Sequence, residues 1–411
     1  MRILLCLIML ILYQGVLEDI INLGTYIDEG ILIILLVYVF SGYTMKKIEI
    51  KLYKLEKLIF ILICILFVIG IISNMNSELI EKSKDYIISG ILFIKIFLIY
   101  ILARIAFRNI KINKNILLKF SNHINIILNI YVILILANIP LKFLKVYDTR
   151  FNIIETISVG FGHPSELDFF AISIMIIQLF LFRILNFNMK KYLKILLKVF
   201  IIIIFTGRIK AIIFYVGYIL AIAFSKIIKN IKIYNIIPFI PFIPIFYSIG
   251  KERLLSEILD SYGVRGILYK TAFHIASDFW PFGGGFGTFG TEFSRKIYSP
   301  LYYKYNISSI YGLSPDWPAY ITDSNWAAVI GETGFLGMFI YILICIIMTV
   351  FFIFLFNKDT YIRIALSSLW IYGIIASFSD TILMGYRGTA IVIITTFFIS
   401  VYINKESSIY N

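Results

Sequence analysis

Apolar runs close to the length that crosses a bilayer recur along almost the whole chain, separated by short polar punctuation. They predict twelve helices, at about 2–17, 27–44, 58–74, 86–107, 116–139, 167–186, 192–206, 210–226, 234–249, 325–347, 363–378 and 386–403. Helices are the expected form because an open strand edge leaves backbone groups unsatisfied in hydrocarbon. The run Ile3–Leu17 also has the length of a signal-peptide core. No small-residue cleavage site follows it and further spans come at once, so it is taken as the first span. The expected fold is an all-α polytopic membrane protein forming a single integral domain over residues 1–411. One stretch interrupts the pattern. Residues 250–323 form a long loop between the ninth and tenth spans, with amphipathic segments at Glu252–Tyr262 and from Val264 to Ser277.

Composition agrees with this reading. Of 411 residues, 60% are hydrophobic and only 15% charged, more apolar surface than a soluble domain can hide. Cys6, Cys64 and Cys345 all lie inside apolar runs, with no disulfide framework and no thiol pair at metal spacing. The net charge of +14 raises the question of nucleic acid. The basic residues instead gather in alternate turns: Lys46, Lys47, Lys51 and Lys54; Arg104, Arg108, Lys111 and Lys114; Lys190, Lys191 and Lys194; Lys226 and Lys229. Such clustering follows the positive-inside rule. It sets both termini in the cytoplasm, places residues 250–323 outside, and leaves no need for a nucleic-acid partner.

Three external regions carry polar residues that a plain anchor does not need. The first is the loop 140–166, which ends in Gly160-Phe-Gly-His163-Pro164. The second is Thr206-Gly207-Arg208-Ile209-Lys210, a tight connection between two short apolar spans. Arg208 there has two readings, a cation snorkelling to headgroups and a fixed guanidinium facing a buried anion. The third is the long segment. Gly263 breaks it, and Arg265 then stands near a helix start, where phosphate oxygens meet backbone N–H groups; Lys270 follows. His274 lies nine residues beyond Arg265, about 180° away on an ideal helix, and is more readily an interface residue than a base. Gly285, Gly287 and Gly290 satisfy GxGxxG, but no βαβ unit surrounds them, so tight turns or close backbone approach explain them better than a dinucleotide. The tail 298–320 is rich in Tyr and Trp, which suit either a membrane interface or stacking on sugars. Asp323-Ser324-Asn325 is an N-cap cluster, and Asp323 is also placed to face the cavity of Arg208 and Arg265. Glu332, two turns further on, is a second carboxylate suited to general-base work if partly desolvated.

These pieces together resemble the Wzy-type O-antigen and capsular polysaccharide polymerases, within the superfamily that includes the O-antigen ligases. Gly162-His163-Pro164-Ser165 is similar to that family's HPN segment, and Thr206-Gly207-Arg208 to its (S/T)xR turn. Gly263-Val-Arg265-Gly266, with Trp280-Pro-Phe-Gly-Gly-Gly-Phe-Gly287, resembles its external loop. Asp323-Ser-Asn and Gly331-Glu332-Thr-Gly334 resemble its span start. The ordered set covers about residues 155–340. The resemblance implies a GT-C-like, metal-independent glycosyltransferase without cofactor at the outer face of the bacterial cytoplasmic membrane. It would join undecaprenyl-diphosphate-linked oligosaccharides into a surface polysaccharide, with a chain-length regulator protein as a possible partner. Arg208 and Arg265, then Lys210 and Lys270, would hold the diphosphate. Asp323, then Glu332, then His163 or His274 are the candidate bases. The ligases place a histidine near the end of the long loop, where this chain reads Asp323-Ser324-Asn325, which disfavours the ligase alternative. A lipid-linked oligosaccharide flippase or transporter is the alternative from another class. The orientation has a direct check: in Ser309→Cys, an impermeant thiol reagent added outside intact cells is expected to label the new cysteine, and a silent site overturns the topology.

Overall fold

The computed structural model describes residues 1–150, 154–225, 263–355 and 359–407. In chain order the helices are α1 (Arg2–Leu12), α2 (Gln14–Ile20), α3 (Ile27–Thr44), α4 (Lys54–Ser77), α5 (Ser83–Ala106) and α6 (Lys114–Leu141). Then follow α7 (Pro164–Ile184), α8 (Met189–Thr206), α9 (Ile209–Phe224), α10 (Val264–Asp278), α11 (Glu292–Ile297), α12 (Pro300–Lys304), α13 (Asn325–Phe354), α14 (Thr360–Ala376) and α15 (Tyr386–Ser407).

Among the described residues, seven helices are long and apolar enough to cross a membrane, or eight if the bent pair α1–α2 counts as one span. The chain is thus a mostly helical, multi-pass membrane protein. The expected count of twelve is reduced for identifiable reasons. The run 2–17 is two helices meeting at 61°. The first ten residues of α8 carry Lys190, Lys191, Lys194 and Lys198, and α9 and α14 have only 16 and 17 residues. The helix expected at 234–249 and the amphipathic stretch 252–262 lie outside the described residues. A second departure from an all-α fold is an antiparallel hairpin, β1 (Val146–Arg150) with β2 (Ile154–Ile157), in the loop before α7. Its alternation is too short to stand out beside the long apolar runs.

The middle of the bundle is α7. Every residue from Leu167 to Phe182 is buried, so this helix is enclosed by others around its whole circumference. Phe180 stacks on Phe398 of α15 with ring centroids 4.2 Å apart. By contrast, α3 exposes Ile33, Ile34, Leu36, Val37 and Phe40, side chains suited to lipid.

Residues 263–323 build a second, smaller core. Leu268, Ala272 and Ile275 of α10 pack with Phe289, Leu301, Tyr302, Leu313 and Ile321 against Ala327 and Ile330 of α13. The centre of this segment then turns into the bundle. Phe286 is fully buried against α4 and α5. Its slot exists because Gly70 and Gly90 lack side chains: a Cβ at either would stand 2.1 or 2.5 Å from the ring. Peptide groups that enter an apolar bundle must find partners. Asn74 of α4 supplies two, its amide donating to the Phe286 carbonyl at 3.0 Å and its oxygen accepting the Phe286 N–H at 2.7 Å. Ser77 donates to the Gly284 carbonyl at 2.6 Å. The backbone is left-handed at Gly285, Gly287 and Gly290, so these glycines serve turns and close approach.

The segment also explains a break in α13. Gly334 has φ +63° and interrupts the helix, and Phe282 and Gly283 lie against it. A Cβ at Gly334 would meet the Phe282 carbonyl carbon at 2.2 Å. Gly334→Ala is therefore expected to destabilise the protein by ~2 kcal/mol or more. Gly30→Ala in α3, where nothing stands within 4 Å of the new carbon, is expected to be neutral or mildly stabilising. Thermal unfolding in detergent reads both; equal melting temperatures would rule out the close approach at Gly334.

Candidate functional site

Four turns meet at the end of the bundle that carries residues 263–323: the start of α7, the α8–α9 turn, the α13 start and the α14–α15 turn. Local sequence accounts for each. Gly207, at φ +62°, ends α8 in the left-handed conformation, and Arg208 at once becomes the N-cap of α9. Its carbonyl already accepts from Ala211 and Ile212, so this reversal fixes where the Arg208 side chain emerges. His163 precedes Pro164, the first residue of α7, where the missing proline N–H costs nothing.

Arg208 Nη2 lies 2.9 Å from His163 Nε2. A guanidinium only donates, so Nε2 is the acceptor in this contact. Nδ1 lies 2.7 Å from Ser165 Oγ and 3.3 Å from the Ser165 backbone nitrogen. Crowding by the surrounding protein, followed by the cations Arg208, Arg387 and Lys210, pushes the His163 pKa down to about 4. One edge of the ring is open to solvent. The imidazole is therefore a neutral acceptor for Arg208 near neutral pH, rather than a cation.

The structure adds two residues that sequence reasoning did not single out. Asp380, in the α14–α15 turn, accepts from Arg387 Nη2 at 2.7 Å and lies 3.6 Å from Lys210 Nζ. Its burial opposes ionisation, but Arg387 and Lys210 outweigh it and hold the carboxyl at about 2. A charged pair flanking an apolar run, Asp380 before Met384-Gly385-Tyr386-Arg387, was the available signal. Just below, Tyr372 donates to the buried Asp168 carboxylate at 2.7 Å. Arg208 thus meets His163, while Lys210 from the same turn and Arg387 at the start of α15 meet Asp380.

A cleft of about 280 Å³ lies between Gly263, Val264, Arg265, Tyr320 and Asp323. Arg265 Nη2 stands 3.2 Å from Asp323 Oδ2. The N-cap of α13 falls to Ser324, whose Oγ accepts from the Ala327 N–H, which leaves the Asp323 carboxylate turned to Arg265. Beside the cleft, Tyr311, Trp317 and Tyr320 form an aromatic group, with Tyr311 and Trp317 centroids 4.5 Å apart. Tyr311 is 73% exposed. Tyr269 of α10 donates to the Phe378 carbonyl at 2.9 Å, which ties this cleft to the turn that carries Asp380.

The remaining sequence candidates separate from this group. Glu332 is fully buried, and its Oε1 accepts from the Gly287 N–H at 2.9 Å, the Phe289 N–H at 3.3 Å and Thr291 Oγ1 at 2.8 Å. It holds the glycine-rich turn from inside. Lys270 and His274 are exposed on α10. Arg208, Lys210 and His163 come together, as do Arg265 and Asp323. No family model matches the chain, and no curated protein matches it.

The neutral imidazole has a pH signature. Its folded pKa of about 4 lies below its ordinary 6.5, so the unfolded chain binds the extra proton between these values. The histidine thus subtracts stability as pH falls from about 6.5 toward 4, and has no such effect above 6.5. His163→Gln keeps an acceptor for Arg208 without titrating. The stability gap between His163→Gln and the parent chain is expected to change across that window in detergent denaturation. A gap that stays constant with pH removes the neutral-imidazole assignment.

Proposed function

We propose that the chain is a GT-C-like glycosyltransferase that polymerises undecaprenyl-diphosphate-linked oligosaccharide repeat units into a surface polysaccharide, at the outer face of the bacterial cytoplasmic membrane with both termini inside. The observation that carries the reading is that Arg208 on His163 and Lys210 and Arg387 on Asp380 gather three cations at adjoining turns. Fixed cations at one end of an apolar bundle suit a lipid diphosphate, whose tail needs hydrocarbon and whose oxygens need positive charge. The exposed aromatic group beside the Arg265 cleft supports a saccharide, since ring faces stack on sugar rings.

In this reaction the acceptor hydroxyl oxygen bonds to the anomeric carbon of the donor. The bond from that carbon to the diphosphate oxygen breaks, and the diphosphate leaves with the electron pair. Charge grows on the leaving oxygens, where cations already in place lower the barrier most. The hydroxyl proton goes to a carboxylate. Asp323 fits that task better than Glu332, because it faces a cleft while Glu332 is occupied with backbone N–H groups. Its contact with Arg265 orients the carboxylate, and much of the rate would rest on positioning and on leaving-group stabilisation.

A second reading, a flippase or transporter for the same lipid-linked oligosaccharide, draws on Lys95. This lysine is buried in α5 and lies 2.5 Å from Asp28 and 2.6 Å from Glu29. Charged residues inside a span often mark a transport path. The two readings part on one experiment. Arg208→Ala and Arg265→Ala are each expected to insert normally and to lower chain growth by on the order of a hundredfold. Cells would then carry single repeat units on the acceptor lipid in place of a ladder. A normal ladder in both variants defeats the diphosphate assignment. Loss of all surface glycan with lipid-linked units retained inside selects transport.

A further inference from the structure

A second cavity, of about 400 Å³, opens at the opposite end of the bundle. It lies where the α5–α6 turn meets the last residue of α7 and Asn404 of α15. Since α7 has 21 residues, the cavity is about 30 Å from His163 along the helix axis. Asn109, Lys111, Lys114 and Asn404 line it with polar groups, and Ile110 and Ile184 give it an apolar part. Among the described residues, none that lines it is a carboxylate.

Two features make this a built cavity rather than a gap between loops. Asn404 Nδ2 donates to the Arg108 carbonyl at 2.8 Å and the Ser400 carbonyl at 2.7 Å, tying the α5–α6 turn to α15. Asn113 Oδ1 accepts from the Ile116 N–H, so α6 begins with Lys114 at the rim. Lys111 and Lys114 are thereby carried on anchored backbone.

The geometry points to a site for the headgroup of an anionic phospholipid, with its phosphate on Lys111 and Lys114 and its first acyl carbons on Ile110 and Ile184. Depth and composition both favour a lipid. Spanning helices α5, α6 and α7 all begin or end here, and α15 nears its end, which sets the cavity at the polar boundary of a bilayer. Isoleucines beside lysines at that depth match a molecule that is charged at one end and apolar at the other. A free anion would gain nothing from the isoleucines. Basic pockets between spanning helices take such headgroups. The site is independent of the reaction proposed above.

The test uses the full chain in phosphatidylcholine vesicles, with phosphatidylglycerol added as the probe, and bound lipid counted by native mass spectrometry after release. The parent chain is expected to retain phosphatidylglycerol over phosphatidylcholine. Lys111→Ala/Lys114→Ala is expected to weaken that retention about thirty-fold, at roughly one lipid-attraction increment per lysine. Lys190→Ala/Lys191→Ala removes the same charge from lysines that do not line the cavity, and is expected to leave retention nearly unchanged. Both double variants change exposed side chains, and unaltered melting in phosphatidylcholine confirms their fold. Equal losses in the two pairs would reduce the effect to general surface charge. No preference in the parent chain, or displacement of the lipid by inorganic phosphate, would overturn the lipid site.

Discussion

The contact on which much else depends is the Glu332 carboxylate inside the bundle. It accepts two backbone N–H groups and a threonine hydroxyl from the glycine-rich turn, while Asn74 satisfies both polar groups of the Phe286 peptide from the other side. Irregular backbone survives at such depth only when its groups are paired. With them paired, the turn inserts, Phe286 fills the slot between Gly70 and Gly90, and α13 breaks at Gly334 to make room. That break lies one helical stretch below Ser324 and Asp323, so the inserted turn and the cleft share one support.

The same constraint governs the other charges in this apolar protein. Glu56 pairs with Arg104 at 2.6 Å and with Tyr100, and Lys95 pairs with Asp28 and Glu29. A lone buried charge would cost more than these helices recover by packing. At the candidate site the balance differs: Arg208, Lys210 and Arg387 act on one imidazole, and Asp380 takes two of them.

Helix placement was legible because it depends on local composition. A run such as Ile3–Leu12 or Phe169–Phe182 is apolar whatever surrounds it, and turns such as Thr206-Gly207-Arg208 carry their own stop and start signals. The grouping of Arg208 with Lys210 was legible for the same reason, since they stand two positions apart. The hairpin at Val146–Ile157 was missed because strands of five and four residues carry little pattern. The partners of Glu332 were not legible, because they stand more than forty positions away along the chain.

By itself, then, the sequence determined that the chain lives in a membrane, roughly where its helices run, and which polar residues stand at their ends. Those properties follow from side-chain transfer energies, which each segment carries alone. Only the tertiary structure decided that the glycine-rich turn goes inward, that Asp323 meets Arg265 while Ser324 caps the helix, and that Asp380 and Arg387 join Lys210. These pairings depend on hydrogen bonds and charge contacts between distant segments, whose energy exists only once packing brings the partners within about 3 Å.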